Sequence, residues 1–288
     1  MGFVTATAPP RTVRKSAGQI SLFTAIASAG FRRYSTYRQA TVASAFTNSV
    51  FGFLKTFVLL GVAGGTAGAI VGTVAGYDGP QLATYVWAGQ GLIGVVGFWG
   101  WTDLSDRIRT GEVVTDLLRP VHPVASYLAT DVGRAGYGML ARFTPPVVVG
   151  AFAFDLYAPT RAGTYPLFAV SVALAVVISF GCRYLVNAAA FWMLDARGVL
   201  LGWALLSTVL SGLVFPLPFL PPGWAAALWI GTPFPSLLQT PLDILVERHP
   251  PAGQFGLLAL QVGWAVVSLG LCWLVQRRAE RRLVIQGG

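Results

Sequence analysis

The residues of this sequence that could do chemistry gather in one stretch. Between Trp101 and Arg134 stand Asp103, Asp106, Arg107, Arg109, Glu112, Asp116, Arg119, Asp131 and Arg134, nearly a third of the charges in the chain. Paired carboxylates can act as general acid and base, or join His and Cys around a metal. Asp103, Asp106 and Asp116 have no Cys among them and alternate with arginines, as on a solvated recognition helix. Neither Lys15 nor Lys55 sits in a G-x-x-x-x-G-K-[ST] phosphate loop, and there is no H-E-x-x-H and no nucleophile elbow. Cys182 and Cys272 lie singly inside apolar runs, where they read as small packing residues rather than a disulfide or zinc framework. A catalytic role for this chain finds no constellation to carry it.

The elements around that stretch are apolar. The 288 residues are 55% hydrophobic and 11% charged, with a mean hydropathy of +0.64. Soluble domains are about one-quarter charged, so most of this surface faces lipid. About twenty apolar residues cross a bilayer core. The sequence predicts six spans, at about 45–74, 82–101, 138–156, 165–190, 199–215 and 255–275. Lys and Arg then divide unevenly: seventeen fall to the termini and the loops on their side, against Arg161 and Arg248 on the other, with Lys55 inside a span. This bias predicts that both termini and the charged stretch are cytoplasmic. The net charge of +9 is thereby a matter of topology, and nucleic acid is not an expected partner. No removable signal peptide is read at the N-terminus.

Residues 1–15 read as a disordered tail. Over 16–40, Ile20, Phe23, Phe31 and Tyr34 recur at helical spacing with Arg32, Arg33 and Arg38 at the end. That pattern fits an amphipathic helix at the lipid interface; the alternative is an extension of the first span. Gly64, Gly68, Gly72 and Gly76, and then Gly94, Gly97 and Gly100, suggest small-residue faces for close helix pairing, or plain tolerance of glycine in membrane helices. The segment 216–250 is apolar yet broken by eight prolines. It reads as short helices near Trp224–Trp229 and Leu237–Val246 that dip back from the outer side; the alternative is a surface loop with its tryptophans in the interfacial belt.

Within the charged stretch, Leu104–Ile108 predicts a short helix ending at Gly111. A second, about Val113–Leu118, stops before Pro120, because the residue before proline is pushed out of the helical region. Leu117 and Leu118 would then form an apolar tip rimmed by Arg109, Asp116 and Arg119, an arrangement that gives a small interface both affinity and orientation. An ordinary amphipathic loop on the membrane surface is the alternative.

These residues carry a resemblance. Ile108-Arg109-x-Gly111 followed by Asp116-Leu117-Leu118-Arg119-Pro120 resembles the central signature of bacterial ABC-2-type exporter permeases, of the six-span kind that works as two permeases plus an ATPase. Thr84-Tyr85, Asp131-x-Gly133-Arg134, Ser211-Gly212 with Pro216, Pro222-Gly223-Trp224, Pro233-Phe234 and the tail Arg281–Gly288 agree in order. The resemblance implies an all-α polytopic fold with an N-terminal interfacial helix, a cytoplasmic coupling helix and extracellular re-entrant helices. It implies a bacterial plasma-membrane permease with two ATPase subunits, a second and different permease, and membrane lipids as partners. ATP and Mg would be bound by the ATPase, with no cofactor on this chain. Asp106, Arg107, Ile108, Arg109, Gly111, Asp116, Leu117, Leu118, Arg119 and Pro120 would couple to the ATPase, and Trp99, Trp203 and Ser207 would line the path of a hydrophobic or amphipathic substrate.

The expected organisation is thus a tail (1–15), an interfacial helix (16–40), a membrane domain (41–276) containing a coupling loop (102–134) and a re-entrant segment (216–250), and a cytoplasmic tail (277–288). A self-sufficient carrier or channel is the other functional reading. It finds little support, because no carboxylate in the sequence stands clearly at the centre of a span.

Overall fold

The computed structural model describes residues 11–62, 73–119, 121–193 and 195–286. Every named element is helical, and the one isolated pairing of extended chain among the described residues is Val74 with Tyr77. The first helix, α1 (Arg11–Ser35), is followed after a short break by α2 (Arg38–Val62). It starts inside the expected disordered tail: Arg11–Lys15 is helical, since Pro9 and Pro10 come before it and nothing after them breaks a helix. Residues 1–10 lie outside the described residues, as do Gly64, Gly68 and Gly72.

Helix α3 (Gly79–Leu92) opens on a capping box. The Gln81 N–H donates to the Asp78 side chain at 2.8 Å and the Asp78 N–H to Gln81 Oε1 at 2.9 Å. It continues as a π-turn, Ile93–Gly97. Two short helices follow, α4 (Asp103–Thr110) and α5 (Val113–Leu117). Next comes one unbroken run of α6 (Pro123–Gly138), a π-turn at Met139–Phe143, and α7 (Thr144–Ala153). The remainder is α8 (Thr164–Ala188), α9 (Arg197–Leu210), α10 (Pro222–Gly231), α11 (Gln239–Leu245) and α12 (Pro251–Gln286).

Three segments are long and apolar enough to cross a membrane: Arg38–Val62, Thr164–Phe191 and Pro251–Arg281. The other expected spans are shorter or interrupted. The helix that leads into the expected third span begins at Pro123, so the last dozen residues of the expected loop 102–134 are helical. Its charges misled because Asp131 and Arg134 lie one turn apart and pair at 2.7 Å, which lets both be buried in a helix. The glycine faces are corrected as well. Gly76, Gly97 and Gly100 take left-handed φ of 83°, 71° and 79°, so they end helices or turn the chain rather than line a helix face.

Close packing in lipid depends on small residues facing large ones. Trp87 is fully buried between Gly52 of α2 and Gly150 of α7, where a Cβ at either glycine would overlap its ring. Helix α1 lies along α6 with Gly133 against the Ala27 carbonyl and Gly30 against Thr130, and Phe31 meets Tyr137 edge-on at 5.7 Å.

The Pro-rich segment does contain helices near the expected positions. Helix α10 exposes Trp224 and Ile230, whereas Leu242, Asp243 and Ile244 of α11 are fully buried. Between α9 and α10 the backbone is unwound, and buried side chains satisfy it. Tyr85 donates to Gly212 O at 2.8 Å, Gln239 Oε1 accepts from the Leu217 N–H at 2.9 Å, and Lys55 Nζ donates to Leu213 O at 2.7 Å. Lys55 therefore serves the backbone of a neighbouring segment. Asp243 accepts from Tyr77 and from Gln239.

Candidate functional site

Helices α4 and α5 form a tight hairpin because Gly111, at φ 78°, closes the first and lets the second fold back. One arginine holds it. Arg107 donates to both carboxylate oxygens of Asp116, at 2.8 and 3.0 Å, and also to Thr115 Oγ1 at 3.0 Å and Glu112 Oε2 at 3.3 Å. The hydrogen bond to Asp116 raises the Arg107 pKa above its ordinary value against the cost of desolvation. Tyr127 of α6 completes the cluster, donating to Asp116 at 2.8 Å.

The hairpin is anchored beneath by an apolar cluster. Leu104 and Val113 pack with Val124, Phe180, Tyr184, Ala188 and Cys272, joining the hairpin to α6, α8 and α12. Asn187 accepts from the Ser105 N–H at 3.3 Å and donates to Trp101 O at 3.0 Å. On the other side Arg33 of α1 reaches Asp103 at 3.4 Å. A polar cavity of about 400 Å³ separates α1 from the hairpin, with Tyr34, Arg107, Tyr127 and Asp131 among its walls.

The structure brings Asp106, Arg107, Ile108, Arg109, Gly111, Asp116, Leu117, Leu118 and Arg119 together, while Pro120 lies outside the described residues. Their roles sort differently from the sequence expectation. Asp116 is 6% exposed and belongs to the interior of the hairpin, not to a rim. Leu117 is half-buried and Leu118 is 81% exposed. The second exposed apolar residue is Val114, at 48%, which sequence reasoning missed. Its spacing of four from Leu118 was the available signal. Asp106, Arg109, Glu112 and Arg119 are the exposed charges around this pair.

Trp99, in the chain that follows the π-turn after α3, and Trp203 of α9 line one small cavity. Trp99 Nε1 donates to Thr208 Oγ1 at 3.0 Å and Trp203 Nε1 to Phe98 O at 2.9 Å. Ser207 is fully enclosed by its own chain and donates to Ala204 O, so it faces no open path here.

The largest feature the sequence did not reveal lies just behind the hairpin. Asp131 is shared by Arg134, at 2.7 Å, and Arg183 of α8, at 2.8 Å, and all three are buried. Arg134 also donates to the carbonyls of Gly94, Val95 and Val96, at 2.9, 2.9 and 3.3 Å. A π-turn leaves carbonyls without their usual partners, and this guanidinium supplies them.

A protein-family model described as ABC-2 family transporter protein matches residues 55–287, including α4, α5 and the whole Asp131 network. No curated protein and no solved structure matches the chain.

Proposed function

The chain belongs to the ABC-2 family of transporter proteins, and from that premise we propose that it is the permease subunit of an ATP-driven exporter. As a permease of this family it is the multi-pass membrane subunit of a transporter. Further, its α4–α5 hairpin docks in a separate cytoplasmic ATPase, two ATPase subunits serve each complex, and a second, different permease completes the path for a hydrophobic or amphipathic substrate in a bacterial plasma membrane. ATP and Mg are bound by the ATPase. In this reading the chain crosses the bilayer six times, with α10 and α11 re-entrant from the outer side and α1 bracing the hairpin at the cytoplasmic interface.

The observation that carries the docking is the exposed Val114–Leu118 pair, ringed by charges on a hairpin made rigid by Arg107 and Asp116. An exposed apolar pair is poorly used in water and well used in a partner's groove. A joint that transmits motion must also be stiff, and the bidentate Arg107–Asp116 pair stiffens this one. The self-sufficient carrier reading gains nothing from Asp131, since two arginines hold its carboxylate.

The test is the double variant Val114→Asp with Leu118→Asp, both at exposed positions. It is expected to insert normally but to lose co-purification with its ATPase, by about tenfold or more if this pair is the anchor. Co-purification at the wild-type level would sink the docking assignment.

A further inference from the structure

A cavity of about 300 Å³ opens between α2, the π-turn after α3 and the π-turn before α7, and three arginines line it: Arg134, Arg142 and Arg183. The nearest carboxylate, Asp131, is already divided between Arg134 and Arg183. Arg134 spends its donors on Asp131 and on the π-turn carbonyls. Arg183 uses Nε on Ser179 and Nη2 on Asp131, which leaves Nη1. Arg142 has neither an ion pair nor a hydrogen bond among the described residues, and its Nε is buried without a partner. The local balance is three guanidinium groups against one carboxylate.

Lipid makes that imbalance matter. Charged side chains at membrane depth are costly unless they are paired or face water. Arg142 does not simply run along the surface: its stem presses on Gly94, where a Cβ would come within 2.6 Å of Arg142 Cδ. The absence of a side chain at Gly94 thus makes room for Arg142. The other walls include the amide of Asn48 and the rings of Trp99 and Trp101, and the volume is at the small end of the range for ligand sites.

We propose that this cavity is an anion site that takes the phosphate or carboxylate headgroup of an amphipathic molecule, with Arg142 and the free Nη1 of Arg183 as donors. The planar guanidinium fork matches both groups. The indole rings suit the apolar portion next to the headgroup. The site is independent of ATPase docking, since neither Val114 nor Leu118 lines it.

The full chain would be purified into nanodiscs of phosphatidylcholine, with or without phosphatidylglycerol, and released for native mass spectrometry. Dodecyl phosphate would be titrated into the pure phosphatidylcholine discs. Wild-type protein is expected to retain phosphatidylglycerol over phosphatidylcholine or to bind dodecyl phosphate. Arg142→Gln should weaken that binding by about tenfold or more, and Arg142→Lys should restore part of it. Retained phosphatidylglycerol without binding of dodecyl phosphate in the phosphatidylcholine discs assigns the site to a bilayer lipid. Binding of dodecyl phosphate without lipid retention assigns it to a diffusible amphiphile. Either outcome supports the site. Wild-type protein that shows neither preference overturns it without recourse to any variant, and so does binding unchanged in Arg142→Gln.

Discussion

Single side chains in this protein fasten irregular backbone. Glu247 shows how. It occupies a left-handed turn between α11 and α12, at φ 53°, with its carboxylate almost fully buried. It accepts from the hydroxyls of Thr160 and Tyr157, each at 2.7 Å, from the Arg161 N–H at 2.9 Å and from the Thr164 hydroxyl. Burial pushes its pKa up, but the hydrogen bonds from Thr164, Thr160, Tyr157 and the Arg161 backbone outweigh that and hold it well below the usual carboxylate range. A folded-state pKa lowered in this way contributes stability that is present above the unfolded value, near ~4.3, and is lost as pH falls toward the folded one. Glu247→Gln is therefore expected to lower thermal stability by about 2 kcal/mol at neutral pH. The gap from wild type should stay constant above roughly pH 5 and narrow below about pH 4. A gap that widened in acid would refute this account. Glu247 does not stand out in the sequence, because its partners lie up to ninety residues away, and the role of Arg107 as the clasp of the hairpin is hidden because Asp116 meets it only across a turn.

Among the elements, the pairing of α1 with α6 bears most directly on the proposed coupling. The amphipathic pattern of α1 was legible from Ile20, Phe23, Phe31 and Tyr34. Its seat was not, because that depends on Gly133 and Gly30, whose value lies in what approaches them. A Cβ at Gly133 would overlap the Ala27 carbonyl oxygen and come within 2.7 Å of the Phe31 nitrogen, both rigid backbone. Gly133→Leu should therefore lift α1 from α6, and trypsin should cut at Arg32 and Arg33 about tenfold faster than in wild type, as expected when a packed helix opens locally. Cleavage at the wild-type rate would show that α1 is held by something other than this contact. The hairpin α4–α5 was legible to within a few residues through Gly111. The start of α6 was not, because buried Asp131 and Arg134 look like loop residues until Arg183 is brought beside them.

For the molecule as a whole, the asymmetry of Lys and Arg remains the topological argument, although it now rests on fewer loop charges. Arg134, Arg142 and Arg183 are in helices and leave the loop count, yet the termini and the hairpin still hold the clear majority of the basic residues. Cys182 and Cys272 are both buried, so single introduced cysteines can report sidedness with little background. A membrane-impermeant maleimide applied to intact cells is expected to label Ala162→Cys and to spare Thr110→Cys until the cells are opened. The reverse labelling would invert the proposed orientation. By itself the sequence determined that the chain lives in a membrane, that it is helical, and that its polar hairpin follows the second apolar stretch, since composition, charge bias and glycine placement are local quantities. Tertiary structure alone decided that Asp116 faces inward, that Val114 joins Leu118 on the surface, and that Asp131 is shared by two arginines while Arg142 has no carboxylate among the described residues. Those outcomes depend on which residues distant in sequence become neighbours, and in a low-dielectric interior the neighbour decides whether a charge is held, hidden or left open to a ligand.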